Sequence, residues 1–338
     1  NKKIIKFNKE FNLPPLIVNL LNNRAFTTFD ELDRFLNPSI KYFHNPFLMK
    51  GLKKSIKRIF KAISLNETIF ILGDSDADGI SAASIIFNQL KEQGGKVKAL
   101  ILNREEDGRG LSKKLIKKVL KVNSAVLITC DLGINDHDLI DFATKNGVDV
   151  IIADHHIPFK KKSSAFSIIN PKQLNCVYPF KELSASGIAL KLVQGMEKFK
   201  SKNLLENIDA VSLAMLGTIS DMVPLTGENR VIVSIGLKNL KETKSIGLKI
   251  FLKKKKQSQS HYFYLSSSII PMINSTARIG DSNKALKLLT IKNKEKTKLL
   301  YSQLKSVNES RISIQNQTTE EVYKRAKAIL EGKEDPLK

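Results

Sequence analysis

Between residues 67 and 170 the chain alternates short apolar runs with longer amphipathic stretches. Thr68-Ile69-Phe70-Ile71-Leu72 is β-branched and aromatic and is closed by Gly73, the pattern of a buried strand entering a tight turn. Comparable runs predict strands at about 97–102, 125–129, 148–153 and 167–169. The stretches between them predict helices at about 80–92, 111–121 and 136–145. Strands separated by helices pair in parallel, because a parallel crossover needs room for a helix, and such a sheet is covered on both faces. Upstream, Thr28-Phe29-Asp30-Glu31 has capping-box spacing and opens a short helix that ends before Pro38. A second helix carries Leu52, Ile56, Phe60 and Ile63 on one face with lysines opposite. After Pro179 the periodicity is helical, over Ser186–Phe199 and Asn203–Ile219, with a further helix from near Asn229. The run Lys253–Lys256 is expected on an exposed loop. From about Asn293 to Gly332 the chain is charged and almost free of Gly and Pro, and reads as one long helix or two in line. The expected fold is α/β, a parallel sheet flanked by helices, with a mostly helical second part and a long C-terminal connecting helix.

Composition narrows this picture. A chain of 338 residues, 42% hydrophobic, can build real cores, and no apolar run approaches the length of a membrane span. Nothing at the start resembles a secretory signal; the first residue is Asn, so the natural start is expected upstream. Cys130 and Cys176 form no CxxC pair, which argues against a zinc cage or a disulfide scaffold and fits a reducing cytoplasm. The net charge of +23 invites a nucleic-acid partner, although a lysine-rich coding bias would give the same number. The scarcer arginines are more telling. Arg104, Arg109, Arg230 and Arg278 lie in or beside the motifs below, where a planar fork suits phosphate.

The candidate chemistry is acidic. Asp74, Asp76 and Asp78 follow the first strand at alternate positions, and like charges that close need a cation. Asp131 follows the strand ending at Thr129-Cys130, and Asp154-His155-His156 follows the next one. Asp221 stands where the helix 203–219 runs out. Each alone is more often a turn residue or a cap. Four such motifs at strand or helix ends converge, because ligands of open α/β sheets bind at the carboxyl edge. Oxygen-rich ligation with one or two imidazoles favours Mn²⁺ or Mg²⁺ over zinc or copper. Five carboxylates and a histidine suit two adjacent ions, which support in-line attack of water on phosphorus.

These residues carry a resemblance. Gly73–Gly79, Cys130–Gly133, Ala153–His156 and Leu216–Arg230 resemble the four motifs of the DHH phosphoesterase superfamily, and within it the RecJ group of single-strand-specific 5′→3′ exonucleases. Leu13–Pro15, Arg24, Phe35–Pro38, Asn103-Arg104, Leu183–Gly187 and Asn274–Gly280 follow the same pattern. The resemblance implies that Asp76 and Asp78 ligate separate ions, with Asp74 ligating or supporting the first. It implies that Asp131 bridges them, that His155 and Asp221 complete the second, and that Asp154 orients His155. His156 would contact the scissile phosphate or assist proton transfer. Arg104 and Arg278 would hold backbone phosphates, and Ser186 and Gly187 would open a helix that accepts the 5′-phosphate. It further implies two Mn²⁺ or Mg²⁺ ions, a single-stranded DNA substrate with a 5′ end, and a monomer working with a single-strand-binding protein and a RecQ-type helicase. No membrane partner is expected. Ser75 departs from the pattern, standing where the group usually has an aromatic residue.

The domains expected are a helical arm at 1–66, a DHH catalytic domain at 67–290 and a connecting helix at 291–338. No Gly-Gly-His motif of a DHHA1 domain and no OB-fold pattern precedes Lys338, so the chain is expected to stop after that helix. The alternatives are a DHH phosphodiesterase for short oligonucleotides or cyclic dinucleotides, and a non-processive fragment or scaffold that mainly binds DNA. A dinucleotide-binding fold is a distant third, because no GxGxxG follows any strand.

Overall fold

The computed structural model describes residues 13–331 apart from 25, 27, 109, 160, 162, 201–206 and 256–257. Strands β1 (Thr68–Gly73), β2 (Lys96–Ile101), β3 (Ser124–Cys130), β4 (Asp149–Ala153) and β5 (Ser167–Ile169) form one parallel sheet in the order β2-β1-β3-β4-β5. An arm of α1 (Pro15–Asn22), α2 (Phe29–Leu36) and α3 (Leu52–Ser64) precedes it. The crossovers carry α4 (Ala77–Glu92), the short α5 (Arg104–Asp107) with α6 (Lys113–Lys121), and α7 (His137–Lys145). Beyond the sheet come α8 (Ala185–Phe199), α9 (Ile208–Ser220), α10 (Gly227–Asn239), α11 (Ile246–Leu252), α12 (His261–Tyr264), α13 (Ile270–Ile279), α14 (Ser282–Thr290) and the 37-residue α15 (Lys294–Leu330).

Alternation along the strands divides the core in two. Ile69, Ile71, Val126, Ile128 and Ile151 face one side, joining the buried faces of α3, α4, α8 and α9. Phe70, Leu72, Leu127, Val150 and Ile152 face the other, under α6 and α7. Each fully buried Ile or Leu contributes about 1.5–3 kcal/mol, so this two-sided burial outweighs the weak intrinsic preference of any single strand.

The strand order has a switch point. From β1 the chain steps to β2 on one side and then returns to β3 on the other, which leaves a crevice outside the carboxyl ends of β1 and β3. Register sharpens this. Gly73 pairs with Cys130, Cys130 with Ala153, and Ala153 with Ile169. The ladder runs one residue further, through Asp74 N to Cys130 O (3.1 Å), Asp131 N to Ala153 O (3.0 Å) and Asp154 N to Ile169 O (3.2 Å). Asp74, Asp131, Asp154 and Asn170 therefore stand level in a row, one strand spacing apart.

Several boundaries differ from the pattern. Helix α4 begins at Ala77 rather than Ile80, because Asp76 is its N-cap and accepts the amides of Asp78 (3.0 Å) and Gly79 (3.1 Å). Asp76 and Asp78 are thus a cap and a first-turn residue, while Asp74 ends the strand ladder. The expected start of the later helix at Asn203 lies outside the described residues, and α9 is described from Ile208. Between α12 and α13 the helix widens into a π segment at Leu265–Ile269, just before Pro271, whose missing N–H cannot close a normal turn. Lys253 and Lys254 form the turn after α11, whereas Lys256 lies outside the described residues.

The arm is bound to the core by a buried polar network. Lys191 of α8 lies 2.5 Å from Glu228 of α10, each 1% exposed. Glu228 also accepts the Tyr178 hydroxyl (2.5 Å) and the His44 amide (2.9 Å), while Lys191 donates to His44 O (3.1 Å) and Gln194 (2.8 Å).

Candidate metal centre

Three overlapping groups of ligand atoms form at the switch point. Asp74, Asp76 and Asp131 make one, Asp78, His155 and Asp221 a second, and Asp131, His155 and His156 a third; within each group the atoms lie within 4.8 Å of one another. Asp131 and His155 each belong to two groups, which makes them the hinge of the assembly. His155 Nε2 is 3.2 Å from Asp131 Oδ1, and its Nδ1 is 3.6 Å from Asp221 Oδ2.

The backbone is arranged around these ligands. Asp131 has φ of +66° and Met222, directly after Asp221, has φ of +56°. Left-handed backbone at a non-glycine residue costs about 1–3 kcal/mol and persists where neighbours over-determine it. Asp78 is gripped by the N-terminus of α8: the Ala185 amide donates to its Oδ2 (2.7 Å) and the Ser186 amide to its Oδ1 (3.0 Å). On the opposite side Gly217 of α9 leaves the space that Asp78 occupies, and a Cβ there would overlap both Asp78 Oδ1 and Ser186 Oγ. Asn274 of α13 accepts the Ala77 amide (2.8 Å) and ties that helix to the acidic turn.

Burial and mutual repulsion raise several carboxyls of the cluster. Burial pushes the Asp131 carboxyl well above the usual range, and Asp78 and Asp76 push it further. Burial raises Asp76, with Asp74 and Asp78 adding to it. Asp221 is pushed up to about 7 by burial and by Asp78 and Asp76. Asp131 Oδ1 and His155 Nδ1 are buried without a hydrogen-bond partner. Ligand atoms buried without a hydrogen bond in a crowd of carboxylates fit oxygen-preferring divalent cations, so the residues present suit Mn²⁺ or Mg²⁺. A cleft of about 440 Å³ opens beside them, lined by Asp74, Arg104, Asp131, Asn135, Asp136 and His156 among others.

Several sequence expectations need correction. Asp154 does not orient His155. Its Oδ1 takes His156 Nδ1 (2.7 Å) and the His156 amide (3.1 Å), while Oδ2 accepts the Ile134 amide (3.1 Å). Burial pushes the Asp154 carboxyl up, but the His156 bonds outweigh it and leave it lowered, and the same bond raises His156. Ser186 and Gly187 are not a phosphate cradle. Both are buried; the Ser186 amide is spent on Asp78, and the Gly187 amide on Ser184 Oγ (3.2 Å). That helix N-terminus binds an anion, but the anion is the protein's own carboxylate. Arg230 is drawn away from the cleft, with Nε on Phe35 O (3.1 Å) and its guanidinium stacked 4.3 Å over the Phe35 ring.

Arg104 does reach the centre, with Nη2 3.0 Å from Asp74 Oδ2 and 3.8 Å from Asp76 Oδ2. Arg278 is exposed one turn beyond Asn274 on α13. Arg109 lies outside the described residues. Ser75 is buried, its amide turned to Asp74 Oδ1 (2.7 Å) and its carbonyl accepting Ser282 Oγ (3.3 Å). Sequence reasoning missed the roles of Ala185, Gly217 and Asn135. Asn135 pins the segment after the histidines, through Nδ2 to Ile157 O (3.1 Å) and Oδ1 from Phe159 N (2.8 Å).

The chain is similar in sequence and fold to known proteins. Residues 68–218 match the model of the DHH family, N-terminal domain. The chain is 32% identical over 321 residues to the single-stranded-DNA-specific exonuclease RecJ of Bacillus subtilis, covering 94% of this chain and 40% of that protein. It is 27% identical to the Escherichia coli RecJ over 319 residues, covering 90% of this chain and 54% of that one. The chain thus spans about half the length of the curated relatives it matches. A crystal structure of exonuclease RecJ bound to manganese superposes with a TM-score of 0.76 at 27% identity, over 82% of this chain and 70% of the other. RecJ from Thermus thermophilus in complex with Mn²⁺ shares the fold, with a TM-score of 0.79 at 24% identity over 93% of this chain and 45% of the other.

Proposed function

We propose, from the match of residues 68–218 to the DHH family, N-terminal domain, that the chain is the core of a RecJ-type exonuclease that hydrolyses single-stranded DNA from the 5′ end. The observation that supports this most is the set of overlapping ligand groups sharing Asp131 and His155 at the sheet edge. Asp74, Asp76 and Asp131 would hold one Mn²⁺ or Mg²⁺, and Asp78, His155 and Asp221 would hold the other. When bound, the ions neutralise the carboxylates, polarise the phosphoryl oxygens and ease formation of a water nucleophile.

The chain's own groups do the rest. The amides of Ala185 and Ser186 fix Asp78, so one ligand of the second ion is placed before the ion arrives. Asp154 holds His156 Nδ1 and favours the protonated ring, which leaves Nε2 to donate to a phosphate oxygen or the leaving group. Arg104 sits over Asp74 in the cleft wall, where its guanidinium is placed to meet an incoming phosphate. Arg278, one turn from the tethered Asn274, holds the next phosphate along the strand. We assign residues 67–290 to catalysis and α15 to the connection with a further domain. The setting is cytoplasmic DNA repair and recombination, with a single-strand-binding protein and a RecQ-type helicase as partners.

The test is digestion of a 5′-phosphorylated single strand labelled at either end, with Mn²⁺. Stepwise release of mononucleotides from the 5′ end supports the reading. Activity confined to cyclic dinucleotides or very short oligonucleotides, or binding without hydrolysis, overturns it.

A further inference from the structure

A groove of about 510 Å³ that shares no residue with the metal cleft runs between α11 and the first turns of α15. Its origin is visible in the helix periodicity. Leu248 and Phe251 of α11 are buried, and Gly247 lies so close to Leu288 O that no side chain would fit. The opposite stripe, at spacing i, i+3, i+4 and i+7, is Ile246, Lys249, Ile250 and Lys253. Across the groove, Thr297 is buried while Lys294 and Lys298 line the near wall, and Lys254 lines its end. The floor is therefore aliphatic and the rim carries five lysines. Among the described residues Lys298 alone of the five has a carboxylate, Glu295 at 2.9 Å.

Repelling ammonium groups around an apolar floor call for a ligand that is both acidic and aliphatic. A nucleic-acid strand fits poorly, because the groove is lined by no aromatic ring for base stacking and no arginine fork for phosphate. We propose that this groove docks an acidic amphipathic peptide segment of a partner protein. Its aliphatic side chains sit over Ile246 and Ile250, and its carboxylates meet the lysine rim. This docking is independent of the metal centre, and its dependence on salt follows from the exposure of the lysines.

The probe is the fluorescein-labelled peptide Asp-Leu-Glu-Asp-Ile-Leu-Glu-Asp, followed by anisotropy on the full chain. The expected result is saturable binding that weakens with added salt. The triple variant Lys249→Glu, Lys253→Glu, Lys294→Glu should weaken it by about tenfold or more, with an unchanged melting curve because all three side chains are exposed. Ile250→Ser should weaken it severalfold, and a control peptide with Ser in place of Leu and Ile should not bind. Equal binding of the Ser peptide, or no effect of the triple variant, overturns the proposal. So does a triple variant that loses affinity for a single-stranded oligonucleotide while keeping the peptide, since the surface would then belong to nucleic acid. If Ile250→Ser unfolds the chain, the charge variant and the Ser peptide decide the matter.

Discussion

Asp78 is constrained on every side: two amides hold its oxygens, and Gly217 leaves just enough room behind it. The methyl of Gly217→Ala would have to displace either the carboxylate or Ser186. Overpacking of this kind costs about 1–3 kcal/mol, and here it falls on a ligand. Gly217→Ala should keep a native circular-dichroism spectrum while losing about tenfold or more in Mn²⁺ affinity by calorimetry. Protons compete at the same atoms. Asp221 is raised to about 7, so below that pH the metal-free chain holds a proton that the cation must displace. Mn²⁺ affinity should therefore fall as the pH is lowered through about 7, with proton release on binding measurable in buffers of different ionisation enthalpy. At this scale the ligands were legible because carboxylates crowd so rarely in sequence. Gly217 was not, since its meaning depends on Asp78, which is distant along the chain and packs against it only in the fold.

Helices here serve mainly to hold ligands still. The N-terminus of α8 grips Asp78, and the same helix carries Lys191 into the buried pair with Glu228, so the arm, the ligand clamp and α10 are joined in one element. Burial lowers the Lys191 pKa, and Glu228 opposes that by favouring the charged form. Removing one partner of such a pair leaves a buried charge unpaired and costs about 3–5 kcal/mol. Lys191→Met should lower stability by that amount in urea denaturation, and adding Glu228→Gln should recover a substantial part. The existence of these helices followed from periodicity, but their duties did not. The Ser184–Gly187 turn has the sequence of an anion-binding N-terminus, and what it binds is decided by α4 packing beside it. The resemblance pairs Asp154 with His155, and only the loop geometry gives it to His156 instead.

At the scale of the whole molecule, the order β2-β1-β3-β4-β5 turns scattered motifs into one centre, because it sets Asp74, Asp131 and Asp154 level on adjacent strands. Strand alternation and the carboxyl-edge rule made this much foreseeable. The neighbours of each strand could not be read from the chain, because pairing order depends on which faces the later helices cover. The central claim is that Asp131 joins two cation sites that hydrolyse phosphodiesters. Its most direct test is Mn²⁺-dependent release of mononucleotides from a 5′-phosphorylated single strand by the wild-type and Asp131→Ala chains, with strand binding measured in parallel. Release by the wild type should depend on metal, and Asp131→Ala should lose about a thousandfold or more with binding largely kept. Hydrolysis that survives in Asp131→Ala, or that continues in the wild type after chelation, would contradict it.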